Sequence, residues 1–189
     1  MAALEPPGNI RADLARYRRG IFSSLGEASA RAFPEALPLA FAAGPATLTP
    51  ARRRRASALL RGAWKGIEGG FRSGGLRAVG ALLYLGLEGP VAELAGRIEG
   101  SLPLLGLEAC PGPIGAREGL FLCGLPSEAA AARAAGGEPP SLAFGDCRLV
   151  LYRIDLGERG FEAVVWREAA CAPRPGRARG LGGRARGGA

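Results

Sequence analysis

The chain contains no histidine. Imidazole is the one side chain whose ordinary pKa lies between pH 5 and 8. Its absence excludes histidine acid–base catalysis, histidine-activated nucleophiles and mixed Cys/His zinc sites. Lysine is nearly absent too: Lys65 is the only one, and the other 24 basic residues are arginine. Four cysteines (Cys110, Cys123, Cys147 and Cys171) show no Cys-x-x-Cys spacing, so neither a metal nor another cofactor is expected. The apolar run 78–87 has ten residues, too few to cross a bilayer. Glu5 and two prolines interrupt the first apolar residues, so no signal peptide is read. A soluble, cytoplasmic protein with reduced thiols is the expectation.

What is present points to one domain. The chain has 189 residues, of which 48% are hydrophobic, enough to bury a sizeable core. The formal charge of +8 is uneven. Residues 172–189 carry Arg174, Arg177, Arg179, Arg184 and Arg186 and no acid, which leaves residues 1–171 nearly balanced. The chain therefore divides into a folded part, 1–171, and a basic tail, 172–189, whose Pro, Gly and Arg content predicts disorder. Such a tail adds non-specific attraction to nucleic acid.

The apolar periodicities predict alternating elements. Residues 2–5 read as a short first strand, broken by Pro6 and Pro7. Ile10, Leu14, Tyr17, Ile21 and Leu25 recur at helical steps, with Arg11, Arg18 and Arg19 assigned to the opposite face. Residues 37–41 read as a strand that Pro38 confines to a sheet edge. A helix is expected over 50–60. Arg52, Arg53, Arg54 and Arg55 in its first turns oppose the helix dipole and read as a solvated face. The glycine-rich segment 62–75 reads as a weak strand and turn, without a phosphate-loop motif. Residues 76–87 read as one buried strand. Pro90 opens a helix with Val91, Leu94, Ala95 and Ile98 on its buried face. Residues 119–125 form another buried strand, and Ser127 caps a short helix to 135. Residues 147–156 and 161–168 flank Gly157 to Gly160 as a β-hairpin. Cys123 and Cys147, inside apolar runs, read as core residues. The order implies α+β: antiparallel or mixed sheets built from split β-α-β units, with helices outside.

Three stretches resemble the RNA 2′,3′-cyclic phosphodiesterases, also called 2′-5′ RNA ligases, of the two-histidine phosphoesterase superfamily. They are Ala3-Leu4-Glu5-Pro6-Pro7-Gly8-Asn9-Ile10-Arg11 at the start, Phe33-Pro34-Glu35-Ala36-Leu37-Pro38-Leu39-Ala40-Phe41, and the closing hairpin 147–168. The layout is similar over 2–170. The resemblance implies a two-lobed fold in which two His-x-Thr/Ser motifs face each other across a cleft that takes RNA ends or nucleotides. One histidine would accept a proton and the other donate one. Here Pro38 and Ala40 stand at the first motif, and Gly119 and Phe121 at the second. None of the four can exchange a proton with substrate.

The expectation is therefore a catalytically inactive relative, a binding or structural module, monomeric and away from membranes, with RNA or a nucleotide as its ligand. The alternative is a phosphodiesterase that uses other residues. In it Glu118 acts as a base if burial raises its pKa, while Arg117, Lys65 and Tyr84 hold the anion. A third reading is an RNA-binding accessory protein driven by arginines 52–55 and the tail.

Overall fold

The computed structural model describes residues 1–25, 34–44, 48–67, 70–112, 114, 116–144, 147–156 and 163–171. The expected hairpin loop at 157–160 and the tail at 172–189 lie outside these residues. The fold is α+β.

Ten strands and four helices lie among the described residues. β1 (Ala2–Glu5) leads into α1 (Gly8–Leu25), β2 (Leu37–Ala40), the short β3 (Ala42–Ala43) and α2 (Pro50–Trp64). β4 (Phe71–Val79), β5 (Leu82–Glu88) and α3 (Val91–Ser101) follow. A 3-10 turn (Leu102–Leu105) then precedes β6 (Glu108–Ala109), β7 (Leu120–Gly124), α4 (Glu128–Ala135), β8 (Ala143–Phe144), β9 (Arg148–Leu156) and β10 (Ala163–Cys171). One four-stranded sheet has the order β10-β9-β1-β2 and the other the order β7-β5-β4-β8. Every described strand pair is antiparallel. Pro38 lies on the edge strand β2, where its missing N–H leaves no ladder bond unmade.

Side-chain alternation sorts the strand residues between two cores. One core joins both sheets to the helices. Leu4, Leu37, Leu83, Leu85, Leu120, Leu122, Leu149 and Leu151 meet Ile10 and Leu14 of α1, Ala56 and Leu60 of α2, Leu94 and Ile98 of α3, and Ala131 of α4. Among the described residues, the other core holds none from the four helices: Ala3, Val150 and Tyr152 from the first sheet, Tyr84 and Phe121 from the second, with Met1, Ala36, Phe41 and Ile114. The helices cross between the sheets. α1, which follows β1, packs against β7, while α3, which follows β5, packs against β2.

Three expectations are corrected. Residues 76–87 are not one strand. Gly80 and Ala81 turn the chain between β4 and β5, with Gly80 at φ +57°. That left-handed conformation suits glycine, and no Asn, Asp or Pro marks the turn. α2 continues four residues past Leu60, because Ala63 extends its buried stripe. Arg18 is not on the solvent face of α1. It is 6% exposed, and it follows Leu14 by four residues and precedes Ile21 by three, which places it on the buried stripe.

Other local signals hold. Ser127 accepts a hydrogen bond from the Ala130 amide at 3.2 Å and caps α4. Val91, Leu94, Ala95 and Ile98 form the buried face of α3. Cys123 and Cys147 are buried in the core. Arg52 to Arg55 are exposed. No helix among the described residues is long and apolar enough to cross a membrane.

Candidate functional site

The helix-free face is where β2 and β7, edge strands of different sheets, approach each other. The Arg117 amide donates to the Pro38 carbonyl at 2.9 Å. The two stretches singled out by the resemblance are therefore neighbours in space.

The side chains there are apolar and closed. Pro38 is buried. Tyr84 has no exposed surface, and its ring meets that of Phe121 edge-on, with centroids 5.8 Å apart. Such a pair gains about 0.5–1.5 kcal/mol beyond its area burial. Phe41, Ile114 and Tyr152 complete the cluster.

Backbone geometry removes two of the four motif positions from this face. The pairing of β1 with β2 slips between Ala2 and Ala3, so Pro38 is opposite Ala3 but Ala40 is opposite Ala2. Ala2 and Ala40 both belong to the helix-side core. The irregularity thus separates positions that, in a regular strand, would share one face. Gly119 precedes β7 with φ +149°, and an added Cβ would overlap the Leu85 carbonyl oxygen. Only Pro38 and Phe121 of the four remain at the junction.

The proposed anion-binding set is dispersed. Glu118 forms an ion pair with Arg77 at 3.9 Å, on the second sheet. Arg117 is paired with Glu99 at the end of α3, and its own backbone is left-handed at φ +69°. Tyr84 is sealed inside the aromatic cluster. Lys65 is exposed just past the end of α2, whose buried residues belong to the helix-side core. The structure brings Arg117 and Glu118 together as chain neighbours and joins neither to Tyr84 or Lys65 as one site.

Buried polar groups the sequence reading did not single out lie around the junction. Arg18 pairs with Glu35 at 3.0 Å and donates to the Phe121 carbonyl. It thereby ties α1, the approach to β2, and β7. Burial lowers the Arg18 pKa, and the Glu35 charge opposes that shift. Glu5, 2% exposed, accepts from the Tyr152 hydroxyl and lies 3.9 Å from the Arg11 guanidinium. Helical spacing from Leu14 was the available signal for Arg18. Glu5 shares strand parity with Ala3, which was the only signal for it.

Burial pushes the Cys123 thiol up to about 11, and the nearby Arg18 charge only partly opposes this. The thiol is neutral at physiological pH and is not a nucleophile. No group of three or more His, Cys, Asp or Glu residues among the described residues could hold a metal ion. Compared with known proteins, the chain matches no family model and no curated protein.

Proposed function

We propose that this chain is a non-catalytic relative of the RNA 2′,3′-cyclic phosphodiesterases and 2′-5′ RNA ligases that works as a structural or binding module. The observation that carries the reading is the junction itself. Two antiparallel four-stranded sheets bring Pro38 and the segment before β7 within one hydrogen bond. That supports a two-lobed arrangement like the family's. Aromatic packing then occupies the face where its imidazoles would work.

Hydrolysis of a cyclic phosphodiester needs one group to take a proton and another to give one. The polar groups around the junction are committed to one another: the buried Glu5 carboxylate accepts from the Tyr152 hydroxyl and faces the Arg11 guanidinium. The Tyr84 ring is enclosed, and the Glu118 carboxylate is directed to Arg77. The role that fits this face is holding the two sheets together, and any ligand would bind elsewhere on the surface.

The test is incubation of the purified protein with 2′,3′-cyclic nucleotides and with 2′-5′-linked RNA. No product above the uncatalysed background is expected. Turnover that survives repurification would overturn the reading. Loss of that turnover in Glu118→Gln, with folding intact, would then establish the alternative with relocated chemistry.

A further inference from the structure

We infer that the exposed side of α2 is a docking surface for the phosphate backbone of a nucleic acid, separate from the closed junction. The inference goes beyond the reading above and does not depend on whether the chain is catalytic.

Residues 48–67 contain six cations, Arg52 to Arg55, Arg61 and Lys65, and no acid. All six are exposed. Elsewhere seven arginines are matched with carboxylates: Arg11 with Glu5, Arg16 with Asp13, Arg18 with Glu35, Arg72 with Glu88, Arg77 with Glu118, Arg97 with Glu93 and Arg117 with Glu99. Among the described residues, Arg52, Arg54, Arg55, Arg61 and Lys65 take part in no ion pair. A compositional bias toward arginine would enrich the residue everywhere, but it would not leave one helix without acids.

Helix stability does not account for these residues either. The N-terminal end of a helix carries partial positive charge, and cations in the first turns destabilise it. Thr49 accepts from the Arg52 amide at 3.3 Å and Pro50 follows. The helix start is specified by these two residues and needs no arginine.

The positions form a pattern. Arg54, Arg61 and Lys65 are separated by seven and four residues, which returns them to one side of the helix. They are spaced about 10 and 6 Å along the axis. Three guanidinium or ammonium groups in one line suit a repeating anion. A planar guanidinium can bind a phosphate through two parallel hydrogen bonds.

An anionic bilayer fits less well. A helix that lies in a membrane surface needs an exposed apolar face. The apolar residues of α2 already pack inward: Ala56, Leu60 and Ala63 are buried, and Leu59 and Trp64 pack partly buried against the same core. Leu104, half exposed on the adjoining 3-10 turn, is a single residue.

The experiment uses the full chain, a 5′-fluorescein-labelled 20-nucleotide single-stranded RNA of mixed sequence, and anisotropy titrations from 50 to 200 mM salt. The triple variant Arg54→Ser, Arg61→Ser, Lys65→Ser removes three phosphate contacts. Its slope of log affinity against log salt should be about 2 units shallower, at roughly 0.7 per contact, with binding about tenfold weaker or more at 100 mM salt. The charge-retaining variant Arg54→Lys, Arg61→Lys should keep the wild-type slope, and circular dichroism should show all three proteins folded.

An unchanged slope in the triple variant would overturn the inference and assign RNA binding to the tail. So would absence of binding by the wild type. Binding to phosphatidylserine vesicles that the triple variant loses, without an RNA effect, would overturn it in favour of a membrane surface.

Discussion

Arg18 occupies a position where the period of α1 calls for a leucine. It is kept there by two partners from distant parts of the chain, Glu35 and the Phe121 carbonyl. Arg18→Ala removes a charged donor and is expected to cost about 2 kcal/mol in urea unfolding. Arg18→Met, which retains packing volume, should cost less. Gly119 is a second single-residue constraint. At φ +149°, with the Leu85 carbonyl against the Cβ position, Gly119→Ala should lower stability by more than about 1 kcal/mol in the same assay. A histidine at 119 would meet the same obstruction.

Cys123 gives a chemical readout at this scale. Its pKa rises from an ordinary 9.0 to about 11 on folding. Between those values the unfolded thiol has released its proton while the folded one has not. Stability therefore falls as pH rises from 9 toward 11, and Cys123→Ala should flatten that decline in pH-dependent unfolding. Iodoacetamide labelling at neutral pH, read by peptide mapping, should modify exposed Cys110 natively and Cys123 only on unfolding.

The element with the clearest conflict is α2. Thr49 and Pro50 are favourable helix-start residues, while Arg52 at the third helical position is not. Arg52→Glu would complete a Thr-x-x-Glu capping box and turn the dipole interaction favourable. The expected gain is about 0.5–1 kcal/mol, a rise of roughly 1–4 °C in melting temperature. Because Arg52 lies off the Arg54–Arg61–Lys65 line, this variant also separates helix stability from anion binding.

The strands carry a different lesson. Leu83 and Tyr84 are adjacent and both fully buried, yet they belong to different cores. A continuous apolar run therefore does not reveal which residue faces which core. It also hides the turn at Gly80 and Ala81.

For the molecule as a whole, the stability of the fold and the proposed absence of catalysis would have a common source. The aromatic cluster between Tyr84 and Phe121 fills the junction of the two sheets. Phe121→Ala should cost about 3 kcal/mol or more in unfolding free energy without producing hydrolysis of 2′,3′-cyclic nucleotides. Pro38→His, which would place one imidazole beside a closed cluster whose Glu5 carboxylate is already engaged by Tyr152 and Arg11, should likewise produce no hydrolysis. A measurable rate in either variant would show that the junction retains catalytic groups.

Composition and local pattern by themselves determined that histidine chemistry is absent and that the fold mixes helices with strands. They also determined that Pro38 lies on an edge strand, that α1 is a helix reaching Leu25, that α3 buries Val91, Leu94, Ala95 and Ile98, and that Cys123 and Cys147 are core residues. These follow from side-chain chemistry, proline's missing donor and the 3.6-residue period, all of which act over a few residues. Only the tertiary structure decided that Arg18 is buried, that Ala40 turns away from Pro38, that Tyr84 is sealed, and that Arg117, Glu118 and Lys65 do not converge. Those outcomes depend on how two sheets meet and on one register slip in β1 and β2, contacts between residues far apart in the chain.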